Sequence, residues 1–323
     1  MEAPPSGDNR RIDAMMDPKL SSLLEVYETG NFTRAAERLS LTQPAVSQHI
    51  RALEKDFGVR IFERSHSALH VTREGEIVVR YARRMQSLYN NLVSELKSER
   101  RQMTALTVGI THTAESNAIP ETFARYVDQH EKVSIKIITD TIDNLCVKLH
   151  NYELDLAVVE GRVSDPTLHC QLLDTDYLVL AVSPTHPLAR RTMVTIDDLK
   201  KEKLILRLPS SSTRTLLVSS LESRNLHLDD FNVVLEIDNI ATIKDLIRRD
   251  FGVSVLARSA CMDELRKKKI VVLPIENLTM VREINLVYAQ DFNHAELLQD
   301  IVRAYSEARN QMTRTLTEEP VKG

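Results

Sequence analysis

Two kinds of chemistry are suggested by the spacing of polar residues in this 323-residue chain. The stretch "LTQPAVSQHIRALEKDFG", Leu41 to Gly58, sets Gln43, Ser47, Gln48, Arg51 and Lys55 along one side of a helical pattern, with Val46, Ile50, Leu53 and Phe57 along the other. Side chains of the first kind hydrogen-bond base edges and phosphates, and Arg and Lys add positive charge. Farther on, "GITHTAES" and "RLPSSSTRT" place Thr111, His112 and Thr113, then Ser210, Ser211, Ser212 and Thr213, where a strand run gives way to a helical one. Hydroxyls and free helix N–H groups at such junctions suit an anion or carboxylate, because they donate hydrogen bonds without bringing a salt-bridge partner. Thr111, Thr113, Ser210 and Ser212 are the leading candidates, and Arg207 adds charge if it points inward. Thr139, Glu160 and Ile240 are weaker ones. The same hydroxyls can also serve only as helix caps.

Catalysis finds little support. His112 could act as a base beside a Ser or Thr nucleophile, but no G-x-S-x-G, metal-ligand cluster or acid pair accompanies it. The chain is therefore read as a non-enzyme with no metal and no cofactor. Three widely separated cysteines, Cys146, Cys170 and Cys261, form no CxxC pattern, so reduced thiols are expected rather than a disulfide framework or a redox pair. No run approaches a membrane span, and the start "MEAPPSGDNRRIDAMMDPK" has no apolar core, so a cytoplasmic protein is expected.

Charge is distributed unevenly. Residues 17–101 hold 14 Lys+Arg against 11 Asp+Glu, whereas residues 102–323 hold 26 against 32, within a formal total of −4. A mildly basic front on an acidic body suits a protein that meets phosphate at one end only.

The elements that must position these residues follow from pattern. Residues 1–16 read as a flexible leader, with Met15 or Met16 as a possible start, and 17–72 as a compact domain of three short helices and a hairpin. Thr42 is a good N-cap, Pro44 fits the first helical turn and Gly58 stops the helix. The paired alanines of "TRAAERL" allow close approach of a preceding helix across a short turn, which describes a helix-turn-helix. An ordinary helical hairpin with a solvated face has the same pattern. Residues 73–101 form one long helix capped by Thr72, with Val78, Met85 and Leu92 at one heptad position and Ala82, Tyr89 and Leu96 at the other. That stripe fits either the domain's own core or a two-helix seam, and the polar residues between favour the seam.

From residue 102 to about 312, short strand runs alternate with helices, a pattern of parallel sheet and βαβ units divided into two small α/β lobes. One lobe is expected over about 104–175 and 280–310, the other over about 176–279, with a polar tail at 313–323. Two such lobes alone would also suit a solute-binding protein, against which the first hundred residues and the absent signal peptide count.

The run "FTRAAERLSLTQPAVSQHIRALEKDFGVRIFERSHSALHVTREGE" strongly resembles the N-terminal domain of LysR-type transcriptional regulators, and the architecture is similar over almost the whole chain. The resemblance implies a winged helix-turn-helix, a dimerising linker helix and an effector-sensing domain of two α/β lobes similar to periplasmic binding proteins. By position it carries DNA contact to Gln43, Pro44, Ser47, Gln48 and Arg51, with Thr33 and Arg34 touching phosphate and His66 on the wing. The implied partners are double-stranded promoter DNA, a small-molecule effector, a second copy in a homodimer or a dimer of dimers, and RNA polymerase. Three positions, one on the recognition helix and two on the wing, depart from the family's pattern. Gln48 stands where many members have Arg, which shifts the expected base preference toward adenine. His66 and His70 stand where basic wing residues are common, so wing affinity for phosphate is expected to rise below about pH 6.5.

Overall fold

The structure is a computed structural model and describes residues 16–65, 68–101, 104–292 and 295–317. Its first three helices begin where a side-chain oxygen can take an orphan N–H. Asp17 accepts from Lys19 N ahead of α1 (Pro18–Thr29), Asn31 from Thr33 N and Arg34 N ahead of α2 (Phe32–Arg38), and Thr42 from Ala45 N ahead of α3 (Gln43–Phe57). Gly58, at φ 68°, ends α3 in the left-handed conformation that a side chain would strain. Leu23, Val26, Ala35, Ala36, Val46, Ile50 and Leu53 close one core between the three helices. Phe57, expected on that inward face, is instead 54% exposed in the last turn of the helix.

An antiparallel hairpin, β1 (Phe62–Ser65) and β2 (Ala68–Val71), follows as the wing, with Phe62 opposite Val71. Glu54 of α3 fixes its base by accepting from Ile61 N at 2.9 Å and Phe62 N at 3.4 Å. Thr72 accepts from Gly75 N at 2.8 Å and so caps α4 (Arg73–Arg101) as expected. Gly75 packs so closely beside the base of the wing that a Cβ would clash with the Ile61 carbonyl oxygen.

Of the expected heptad stripe of α4, Met85, Leu92 and Leu96 are exposed, whereas Val78 packs against the winged domain's core. Val79 and Ala82 are buried in the winged domain's own core. The apolar side chains left outside are Ile77, Tyr81, Met85, Leu88, Leu92 and Leu96, each between 45% and 57% exposed. Met85 and Leu92 keep their expected line, and Tyr81 and Leu88 replace Ala82 and Tyr89 on its neighbour.

A second compact unit begins at Leu106. Its strands are β3 (Thr104–Thr111), β4 (Val133–Asp140), β5 (Leu156–Glu160), β6 (Leu168–Val182), β7 (Leu204–Leu206), β8 (Val233–Glu236), β9 (Ser254–Ala257), β10 (Val271–Leu273) and β11 (Val281–Ala289). Its helices are α5 (Ala118–Gln129), α6 (Ile142–His150), α7 (Ile196–Leu199), α8 (Ser212–Glu222), α9 (Ile240–Arg248), α10 (Met262–Arg266) and α11 (Ala295–Thr317).

The expectation of a parallel sheet is met only in part. β3 pairs parallel with β5, and β7 with β8, but β11 runs antiparallel to both β5 and β6, and β9 and β10 run antiparallel to β6. The reason is that the chain passes from one lobe to the other and returns. β6 pairs with β11 from Leu168 to Tyr177 and with β9 and β10 from Leu178 to Val182, so it belongs to both lobes. One lobe packs Val108, Ile110, Phe123, Leu156, Leu286 and Ile301, and the other packs Leu180, Leu204, Leu217, Val255 and Leu273. Among the described residues no helix is long and apolar enough to cross a membrane.

Candidate functional site

The outer side of α3 carries Gln43, Pro44, Gln48 and Arg51 in solvent, with Ser47 half-buried. Thr33 and Arg34, in the first turn of α2, are also exposed. His49, in the same helix, turns inward and places Nδ1 2.7 Å from the buried hydroxyl of Ser22, which ties α3 to α1. His70 is exposed on the second wing strand, and His66 lies outside the described residues. A polar helix face whose opposite side is locked to two other helices and to a hairpin can enter a major groove as a rigid body.

The second site is a cavity of about 930 Å³ in the effector-side unit. All five residues expected to bind a small anion, Thr111, Thr113, Arg207, Ser210 and Ser212, line it. Thr139 and Ile240 are not among its lining residues, and Glu160 lies just beneath, buried. β3 delivers Thr111 at its end, and Thr113 opens the short turn that follows. Ser211 is spent as the N-cap of α8, accepting from Arg214 N at 3.1 Å, and the flanking Ser210 and Ser212 face the cavity.

Arg207 follows β7 and is 2% exposed. Its Nη2 reaches Asp238 Oδ1 at 3.1 Å, while Nε and Nη1 are buried with no hydrogen-bond partner among the described residues. Burial pulls its pKa below the usual guanidinium value, and the carboxylates of Asp238 and Glu115 oppose that shift. Arg214 supports it from α8, donating to the Arg207 carbonyl at 3.4 Å and to Glu236 at 2.7 Å.

Sequence reasoning missed Arg282. It sits in β11 directly across from Asp176 in β6, at the point where the strands leave the first lobe. Its Nη2 pairs with Asp176 at 3.3 Å, its Nη1 lies 3.3 Å from Thr213 Oγ1 and 3.4 Å from Ser212 Oγ, and its Nε is buried without a partner. Asp176 also accepts from Ser259 Oγ at 2.7 Å. Buried guanidiniums are normally saturated with acceptors. Two of them lining one cavity with unmatched N–H groups is the electrostatic arrangement of an anion site. A signal for Arg282 was available: in "VREINLVYA" it shares the inward side of the strand with Ile284 and Leu286.

Glu160 ends β5 with no exposed surface. It accepts from Thr111 Oγ1 and, at 2.7 Å, from Asn117 Nδ2. Burial pushes its carboxyl above the usual range, and the positive charge of Arg282 offsets this only in part.

A winged helix-turn-helix joined to a two-lobed, anion-suited cleft defines the class of ligand-responsive DNA-binding regulators. Residues 19–76 match the bacterial regulatory helix-turn-helix protein, lysR family, and residues 99–309 match the LysR substrate binding domain. The chain belongs to the LysR family of transcriptional regulators, a family of regulators and not of enzymes. It is 26% identical over 271 residues to the HTH-type transcriptional regulator CysL of Bacillus subtilis, covering 84% of this chain and 90% of that protein. In fold it resembles full-length CbnR complexed with its target DNA, at a TM-score of 0.66 and 18% identity over 91% of this chain and all of that one. It also resembles the CcmR regulatory domain of Synechocystis in complex with 2-PG, at a TM-score of 0.56 and 20% identity over 64% of this chain and 99% of that domain.

Proposed function

We propose that this LysR-type regulator responds to a compact, non-aromatic anion or carboxylate held by Arg207 and Arg282 together with the hydroxyls of Thr111, Thr113, Ser210 and Ser212. The observation that carries this reading is the pair of buried guanidiniums with N–H groups that find no acceptor among the described residues. No Phe, Tyr or Trp lines the cavity among the described residues, which favours a polar ligand over a flat aromatic one. That CcmR was solved with 2-PG, and CbnR with DNA, fits both halves of the reading.

Gln43, Ser47, Gln48 and Arg51 read base edges, with Pro44, Thr33, Arg34 and His66 placing the head on the backbone. The exposed stripe of α4 seats a second copy, so that two heads reach adjacent major grooves about 10 bp apart. Dimers pair into a tetramer that meets RNA polymerase in the cytoplasm. A panel of small oxyanions and carboxylates, titrated into the full chain while thermal unfolding is followed, tests the cleft. An anion that raises Tm in the wild type and not in Arg207→Gln supports it, and an equal rise in both moves the site elsewhere. Footprinting on the upstream intergenic DNA across a salt series tests the head, and binding no better than to random DNA counts against it.

A further inference from the structure

Resting on the anion reading of the cleft, we infer that Glu160 is the residue that makes the cleft accept an anion: it binds one proton when the ligand enters, and in doing so turns the Thr111 hydroxyl into a donor. Both oxygens of Glu160 accept hydrogen bonds from uncharged partners, Thr111 and Asn117, and Glu160 makes no ion pair among the described residues. Arg282, which faces it from β11, is committed to Asp176 on β6. Arg207 faces it more distantly, and Glu115, on the turn after β3, in turn faces Arg207. Ionised, Glu160 adds a second buried carboxylate beside the single guanidinium of Arg282, and an incoming anion makes a third negative charge there. Like charges confined in that way cannot all stay ionised, and the one farthest from a cation takes up a proton.

Thr111 supplies the link to the ligand. A carboxylate only accepts, so with Glu160 ionised the Thr111 O–H must point down to it, leaving oxygen lone pairs toward the cavity. A protonated Glu160 donates to Thr111 Oγ1 instead and releases the Thr111 hydrogen toward the ligand. The same single proton, drawn from solvent, therefore removes a repulsive charge and adds a donor. The elevated pKa that burial gives Glu160 is consistent with this exchange. It makes Glu160 a positioning residue, acting on the ligand through Thr111 and Arg282.

The test is calorimetric titration of the full chain with sodium sulfate, which stays doubly charged throughout, in two buffers of unequal ionisation heat, from about pH 5.5 to about pH 9. Once the free Glu160 ionises, sulfate binding is expected to weaken by about tenfold per pH unit, with close to one proton taken up per bound ion. Glu160→Gln, neutral and of the same shape, is expected to keep the low-pH affinity at every pH with no proton uptake. His112, Asp140, Asp143, Asp238 and Glu283 also line the cavity. A variant that retains the wild-type slope and uptake would assign the proton to one of them and overturn the inference. Wild-type binding without proton uptake overturns it directly, since that measurement needs no variant. Sulfate failing to bind wild type and variant at every pH would instead remove the anion reading, and this inference with it.

Discussion

Replacing Leu88 and Leu92 of the long helix by alanine should dissociate the proposed dimer while leaving the helix and the winged domain intact. Fully burying a leucine side chain is worth about 1.5–3 kcal/mol over leaving it exposed. Leu88 and Leu92 stand 49% and 45% exposed, so roughly half of that, ~1 kcal/mol each, remains to be gained when a partner helix covers them. Two side chains on each of two helices give ~4 kcal/mol, and at about 1.4 kcal/mol per decade the dissociation constant rises roughly a thousandfold. Neither residue belongs to the core that Val79 and Ala82 join, so helicity and the domain's own unfolding should not change. Sedimentation equilibrium over a concentration series, with circular dichroism on the same samples, measures both quantities. A dissociation constant unmoved by the double substitution, or one more sensitive to Tyr89→Ala, would refute the assignment of the seam.

Gly75→Ala should destabilise the winged domain by about 1–3 kcal/mol, because its methyl would press on the Ile61 carbonyl and on Val71; denaturant unfolding of the variant measures this. Gln48→Ala should lose about 1–3 kcal/mol of discrimination at one base pair while binding random DNA as before, whereas Arg34→Ala weakens every sequence and lowers the salt slope; competition assays separate the two, and equal loss across sequences for Gln48→Ala would make it a phosphate contact. Burial pushes the Cys146 thiol to about 11 and the Cys261 thiol to about 12, so iodoacetamide at neutral pH should label both far more slowly than a free thiol, with reaction rising toward those values. Mass spectrometry of the folded protein follows that labelling, and rapid modification of Cys261 would contradict its placement.

Local chemistry was legible where its cause is local. Thr42, Pro44, Gly58 and Thr72 each act within a turn of their own position, and the structure puts the ends of α3 and the start of α4 where those residues say. The exposed stripe of α4 was legible only in part because a heptad pattern does not tell which partner each apolar residue serves. Ala82 fits both a seam and a core, and it is the packing of α4 against the first three helices that claims it. Strand direction was not legible for a related reason. Alternation and burial look the same in a strand whichever way it runs, and β6 serves two lobes through a stretch, "LHCQLLDTDY", whose polar residues hide the first half of the strand.

The cleft shows where reasoning from residue type stops and reasoning from atoms begins. Serines and threonines at strand-to-helix junctions announce themselves, because those positions leave helix N–H groups to be answered. Arg282 does not, since an arginine in a strand is ordinarily a solvent-facing residue. What marks it is its register with Ile284 and Leu286, which commits a charge to the interior and obliges the fold to answer it. Asp176, directly opposite, answers one nitrogen, and Ser212 and Thr213 answer another at longer range, while Nε has no acceptor among the described residues. Arg207 repeats the pattern, with Asp238 taking one nitrogen and two left over. The uncompensated desolvation at these atoms costs stability in the free protein, and an anion is the group that returns it on binding. Because Arg282 and Asp176 sit on the two strands that join the lobes, a ligand that satisfies Arg282 bears directly on the segment shared by both.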